Sequence, residues 1–370
     1  MRNFFICIIW TVSLCFALPT QAKITVALIV PMVDEYQQQG KELTLGVERA
    51  VAEINQQGGV LKQKISLLKI DDQCNDSIAI STAQMLTILH DKKVSLVIGP
   101  YCANSFDKVA DIYAKAKIFQ IIPTAVDYKQ AKTIKKGLVK MLGYTDQAAK
   151  DFFAFYNGNF AGDRMALVSN LNDEESMSAA AAIEHEFQAH GKSAVLQSYN
   201  YQMTEKNYAE LAEKILEDGA QLTYLLGSPA NIRKMAAALR NQQEDFVIFI
   251  NKTKIGDKFF ETLGDLAEGI YFMELKGTVD DPEFVETLVK LRLSGFEAEG
   301  LSLYGYSAVK LWLNLVQKSK SFDYDKLSAA LNNKTIRTAF GYKMFYNGAP
   351  KTSESYSIYR YHDGNFSKAR

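Results

Sequence analysis

Four cysteines and four histidines are all that the 370 residues carry, and their placement excludes most site chemistry. Cys7 and Cys15 fall within the first 22 residues, which leaves Cys74 and Cys102 beyond them. There is no cysteine-rich metal pattern, no Gly-x-Ser-x-Gly elbow and no phosphate-cradling loop. His185 and His190 occur in His-Glu-Phe-Gln-Ala-His, five apart. At about 3.6 residues per turn they diverge by roughly 140°, so they do not share a helix face as a zinc-protease pair must. A surface helix is expected there. His90 and His362 have no evident partner in the sequence. No catalytic residue, metal or cofactor is expected.

Charge of one sign is also missing. Forty-two Lys and Arg balance 42 Asp and Glu, so no basic surplus draws the chain to nucleic acid. Past the N-terminus no segment reaches about 18 uninterrupted apolar residues, and the mature chain is expected to be soluble. Low-complexity segments and short-period repeats are absent.

What is present begins with a leader. Arg2 gives a positive start, residues 4–18 form an uncharged apolar run, and Thr20-Gln21-Ala22 offers a small-residue cleavage site. This is the pattern of a secretory signal peptide over 1–22, too short for a membrane anchor. Cys15 follows Leu14 rather than a small residue, against lipidation. Export places Cys74 and Cys102 in an oxidising compartment, and a disulfide between them is expected.

The remaining roughly 350 residues suit two lobes. Near-continuous apolar runs predict buried parallel strands over 24–30, 65–70, 94–98 and 118–122, with helices between them. Gly58-Gly59 should stop the first helix. The alternation then restarts. Strands are expected over 165–168, 194–197, 222–226, 246–250 and 270–273, with helices over 146–156, 176–190, 208–216 and from about 230 to 239. Helices near 282–294, 303–319 and 324–331 come next, and the tail 356–361 alternates like an edge strand. The aromatic cluster Phe152–Tyr156 should face the second sheet. The fold class is α/β, with two doubly wound lobes in succession. Ligands then bind between the carboxyl ends of the two sheets, and closure about a few hinge residues is the natural motion.

Four segments taken together, in order and spacing, carry a resemblance. They are Gly46-Val47-Glu48 through Ile54-Asn55-Gln56-Gln57-Gly58-Gly59, Asp71-Asp72-Gln73-Cys74, Val97-Ile98-Gly99-Pro100-Tyr101-Cys102, and Ile121-Ile122-Pro123-Thr124-Ala125. From about Lys23 to the C-terminus the chain resembles the periplasmic leucine/isoleucine/valine-binding proteins, which have the type I periplasmic-binding-protein fold. The resemblance implies a clamshell with three hinge crossings, near residues 142–145, 273–276 and 345–351. Lobe one would comprise 23–142 and 276–345, lobe two 145–273 and 351–370. Cys74 and Cys102 match a cysteine pair that is disulfide-bonded in that family.

The same resemblance implies a solute-binding protein of an ABC importer, a monomer of the periplasm that hands a small amino-acid-like or polar ligand to an inner-membrane permease. A ligand-sensing module working with a membrane receptor or regulator is the alternative. The ligand-binding positions transfer unevenly. Where amino-acid binders use a Ser after the second cysteine, Ala103 stands; where they use a Thr past the proline turn, Val126 stands. An aromatic position falls near Glu174, a tyrosine position at Ser228, and the acid that meets the ligand ammonium at Lys252. That last change reverses the charge. Either Lys252 meets an anionic group, or Asp127 or Glu174 supplies the acid, or the ligand is neutral. Tyr36, Asn104, Thr124, Ala125 and Asn170 complete the expected binding set, because each lies at a turn facing the cleft.

Overall fold

The computed structural model describes residues 23–33, 36–89, 94–124, 135–141, 145–202, 207–251, 258–275, 282–296, 300–332, 334–338, 341–346, 348–350 and 356–369. The expected leader lies outside the described residues.

Aliphatic and β-branched runs form the first sheet. Its strands are β1 (Lys23–Ile29), β2 (Lys64–Ile70), β3 (Val94–Ile98), β4 (Phe119–Ile122) and β5 (Leu138–Lys140). They pair in the order β2-β1-β3-β4-β5, every pair parallel. Successive side chains of a strand point to opposite faces, and here both faces are dry. Val26 and Leu28 share a core with Leu43, Val47 and Ile54 of helix α1 (Gln37–Gln56). Their neighbours Ala27 and Ile29 pack instead with Ala79, Ala83 and Leu86 of α2 (Asp76–Ile88) and Val109 and Tyr113 of α3 (Ala103–Lys115). The helical spacing read on α1 is its buried face, and Gly58 and Gly59, both at positive φ, end it.

The second sheet repeats the plan. Helix α4 (Thr145–Asn159) leads into β6 (Met165–Asn170), α5 (Glu174–Ala189), β7 (Leu196–Tyr201) and α6 (Asn207–Glu217). Beyond them lie β8 (Leu222–Leu225), α7 (Pro229–Gln242), β9 (Val247–Asn251), α8 (Lys258–Leu263) and β10 (Tyr271–Leu275). Phe152 of α4 stands edge-on to Tyr224 and Phe249, with ring centroids 4.6 and 5.2 Å away. The aromatic cluster therefore faces this sheet as expected. His185 and His190 lie at the exposed end of α5 and just past it, the latter stacked on Phe153.

The chain then returns. Helices α9 (Pro282–Leu293), α10 (Gly300–Ser319) and α11 (Tyr324–Leu331) precede an antiparallel sheet of β11 (Lys334–Thr338), β12 (Gly341–Tyr346) and β13 (Ala349–Pro350). α10 lies along α1 in backbone contact. A Cβ on Gly46 would sit 1.7 Å from the Ser302 carbonyl oxygen, and one on Gly305 would sit 2.3 Å from that of Leu43. Only glycine permits so close an approach at either position. Finally β14 (Tyr356–His362) and β15 (Asn365–Lys368) join the second sheet, whose order is β15-β14-β10-β9-β8-β6-β7.

The structure departs from the sequence pattern in three places. The strand expected over 194–197 is a 3-10 turn over Ser193–Val195 with β7 after it. The tail strand is not an edge: β14 pairs with β10 on one side and β15 on the other. β5 and the β11–β13 sheet add strands where the residues predict none. No described helix is long and apolar enough to cross a membrane.

Candidate functional site

Parallel strands deliver their succeeding turns to one edge of a sheet. At that edge of the first sheet, the β3–α3 turn carries Tyr101 and Cys102, with the Gly99–Pro100 peptide cis. Cys102 is the N-cap of α3 and is disulfide-bonded to Cys74 in the β2–α2 turn, Cα to Cα 5.4 Å. Ser105 of α3 donates from Oγ to Oδ1 of Asp76 in α2 (3.0 Å), and Lys108 pairs with the same carboxylate. The two turns are thus tied covalently and by their helices. Ala103 and Asn104 open α3, but their side chains lie outside the described residues. Thr124 comes after β4 and is buried; Ala125, Val126 and Asp127 lie outside the described residues.

Beneath this turn sits a buried acid. Asp71 Oδ1 accepts from the backbone N–H groups of Met32 and Gln73, both at 2.9 Å, which is ordinary turn chemistry. Asp72 differs. It is 0 % exposed, its Oδ1 accepts a long bond from the Cys74 N–H (3.4 Å), and its Oδ2 has no hydrogen-bond partner among the described residues. Burial pushes its carboxyl up to about 6, against the Cys74 hydrogen bond. At the end of β5, Lys140 is buried too, its Nζ 6.0 Å from the centre of the Phe106 ring. Burial brings its ammonium down to about 8, opposed by the charge of Asp107.

At the facing edge of the second sheet, the expected residues Asn170 and Ser228 meet through a third, Asn231. Asn231 Oδ1 accepts from Ser228 Oγ (2.8 Å) and Asn170 Nδ2 (3.3 Å), while its Nδ2 donates to the Tyr208 hydroxyl (2.7 Å). Ser228 also caps α7, accepting from the Asn231 N–H. Asn170 holds its own turn, accepting from the Asn172 N–H at 3.0 Å. Both are buried. The network fixes the ends of β6 and β8 relative to each other. Glu174 starts α5 with its side chain outside the described residues, and Lys252 lies outside them altogether.

A side-chain hydrogen bond joins the two edges. Tyr36, the residue before α1, donates from its hydroxyl to Asp173 Oδ2 at 3.3 Å, across 137 residues of sequence. Asp173 is the N-cap of α5, and its Oδ1 accepts from the Glu175 N–H. The Tyr36 ring lies 6.0 Å from that of Tyr101. The buried Tyr101 hydroxyl holds its proton well above the ordinary range, first through burial and then through the nearby Tyr36, Glu42 and Asp173. Tyr36, expected at the cleft, lies between the two edges, against Tyr101 and Asp173. Asp173, Tyr101 and Asn231 are additions to the set read from the residues. Asp173 carries a local signal, an N-cap residue at the end of a buried strand; Asn231 has none, because its role depends on packing against α6.

Two largely parallel sheets have carboxyl edges that face each other, with tied turns on one side and a fixed polar network on the other, and known proteins share this fold. The chain is 25% identical over 356 residues to a Leu/Ile/Val-binding protein of Rhizobium johnstonii, covering 95% of each. It is 22% identical over 346 residues to a leucine-, isoleucine-, valine-, threonine- and alanine-binding protein of Pseudomonas aeruginosa, covering 92% of this chain and 90% of that one. Among solved structures it is similar to a leucine-binding protein of Thermotoga maritima (TM-score 0.79, 17% identity, covering 94% of this chain and 98% of that one). It is also similar to a branched-chain amino acid transporter substrate-binding protein of Streptococcus pneumoniae in complex with isoleucine (TM-score 0.79, 15% identity, covering 94% and 100%). These structural likenesses bear on the fold. The periplasmic binding protein family matches residues 23–365, nearly the whole chain beyond the expected leader, and the chain belongs to that family.

Proposed function

We propose that this protein is the solute-binding component of an ABC importer, exported to the periplasm with loss of residues 1–22, and that it captures an amino-acid-like or other small polar ligand between its lobes. Lobe one comprises 23–142 and 276–345, lobe two 145–273 and 351–370, and the crossings between them are the hinges. The protein acts as a monomer and docks on a permease once closed. Tyr36 and Thr124, with the residues opening α3, line one wall; Asn170, Ser228 and the start of α5 stand behind the other.

The observation that carries this reading is the Tyr36–Asp173 hydrogen bond, which links the ligand-facing edges of the two sheets. A bond at that place forms when the lobes approach and is lost when they part. Ligand capture then needs little rearrangement within either wall, because the disulfide on one side and the Asn231 network on the other already fix the turns.

The test is a binding screen. The purified mature chain is heated with the common amino acids and a metabolite library, and hits are titrated calorimetrically. One chemical class should raise Tm and bind stoichiometrically. Tyr36→Phe keeps the ring against Tyr101 and loses only the hydroxyl, so affinity should fall roughly two- to twelvefold, about 0.5–1.5 kcal/mol. No thermal shift from any compound, together with no small molecule carried through purification, overturns the proposal.

A further inference from the structure

A second concavity lies far from the cleft, where the C-terminal half of α1 meets α9 and α10. It encloses about 540 Å³, within the usual range for small-molecule sites. Arg49 and Tyr36 are 13 residues apart on and before one helix, roughly 20 Å at about 1.5 Å per residue.

Its walls are cationic. Arg49, Lys290 and Lys310 line it against one carboxylate among the described lining residues, Glu53. Glu53 works as a central brace. Its Oε1 accepts from Arg49 Nε (2.9 Å), and its Oε2 accepts from the Tyr306 hydroxyl (2.8 Å) and lies 3.7 Å from Lys310 Nζ. Arg49 is further fixed by donating from Nη2 to Ser294 Oγ (2.6 Å), with its guanidinium 5.8 Å from the centre of the Phe296 ring. These bonds use two of the five donors of a guanidinium. Lys310 stands over the Tyr306 ring at 5.4 Å. Arg49 and Lys310 are each 29 % exposed, so both cations sit in the wall rather than extend into solvent. Lys290 pairs with the well-exposed Glu286 of its own helix, a pair that solvent screens.

We propose that this pocket is a second binding site, for a small organic anion bearing a carboxylate or a phosphate monoester. A planar fork held in place by a carboxylate and a hydroxyl, beside two ammonium groups, is the arrangement that recognises an oxyanion with directed, charge-assisted hydrogen bonds. An anion here replaces solvent between α9 and the α1–α10 pair. It clamps a helix whose Leu291 is buried while Val285, Val289 and Leu293 are exposed.

Calorimetric titration of the mature chain with citrate, succinate, glycerol 3-phosphate and inorganic phosphate tests the site. At least one should bind with a Kd below about 1 mM, more weakly as NaCl is raised. The double variant Lys290→Ala and Lys310→Ala removes both ammonium groups that line the pocket and should lose this binding at least tenfold. Any cleft ligand found by the amino-acid screen should bind the variant unchanged, which separates the site from the cleft. The carboxylate and phosphate arms tell which oxyanion is preferred. Failure of all four anions to bind with a Kd below about 1 mM, or binding untouched by the double variant, overturns the proposal.

Discussion

Replacing Asp72 by asparagine should stabilise the protein at neutral pH and leave it nearly unchanged at pH 4. The carboxyl is wholly buried, with one oxygen lacking a described partner and the other held by a long bond to the Cys74 N–H. Its pKa rises from 3.8 to about 6 on folding, so the native state binds more protons than the unfolded state between those values. Stability therefore falls as pH rises through about 4 to 6 and stays lower above that window. A rise of about two in pKa, at about 1.4 kcal/mol for each, gives roughly 3 kcal/mol. Asparagine keeps an acceptor for the Cys74 N–H and carries no charge to desolvate. Urea unfolding of both proteins at pH 4, 5, 6 and 7.5 should show their stabilities diverging across the window, with the variant ahead by about 3 kcal/mol at pH 7.5. A difference that does not change with pH, or a variant weaker than the parent at pH 7.5, refutes the reasoning.

Three other substitutions probe the rest of the frame. Lys140→Met should also stabilise near pH 7, by roughly 3 kcal/mol, since burial lowers the ammonium from 10.5 to about 8. The native state then binds fewer protons than the unfolded one between those values, so the parent gains stability as pH rises from about 8 to 10.5; a parent whose unfolding midpoint does not rise there relative to the variant contradicts this. Replacing Cys74 and Cys102 together by serine opens a loop of 28 residues and should cost about 3–4 kcal/mol, read in denaturant unfolding against the oxidised parent. Gly46→Ala forces a methyl into the Ser302 carbonyl and should cost at least about 2 kcal/mol, with a Tm drop in calorimetry; a neutral result would mean that α1 and α10 stand further apart.

What could be read in the residues depends on burial. Strands covered on both faces, such as β1, β3 and β6, show as unbroken apolar runs and lie where those runs predict. β7 forms the sheet edge, with Gln197, Ser198 and Asn200 exposed, so its polar half carries no apolar signal and the pattern places the strand too early. β5 spans three residues and includes a lysine, which reads as solvent-facing although it is buried. The antiparallel β11–β13 sheet contains Pro350, a residue that argues against strand assignment. At the site, strand-end logic locates Asn170 and Ser228 but not Asn231, which links them from within a helix. The Tyr36–Asp173 contact joins residues 137 apart, a relation that local patterning does not encode.

The paired glycines of α1 and α10 set an order of events. Gly46 and Gly305 let two helices touch whose sequences lie more than half the chain apart. The inner face of α1, with Leu43, Val47 and Ile54, shares its core with Leu311 and Leu315 of α10. A chain emerging N-terminus first presents that face long before its cover exists. The first sheet therefore completes its core only after residues of α10 have appeared, whereas one face of the second sheet draws its buried residues from the continuous stretch Ala166–Phe272. Until α10 has been made, the inner face of α1 offers a greasy surface to any chaperone that meets the growing polypeptide.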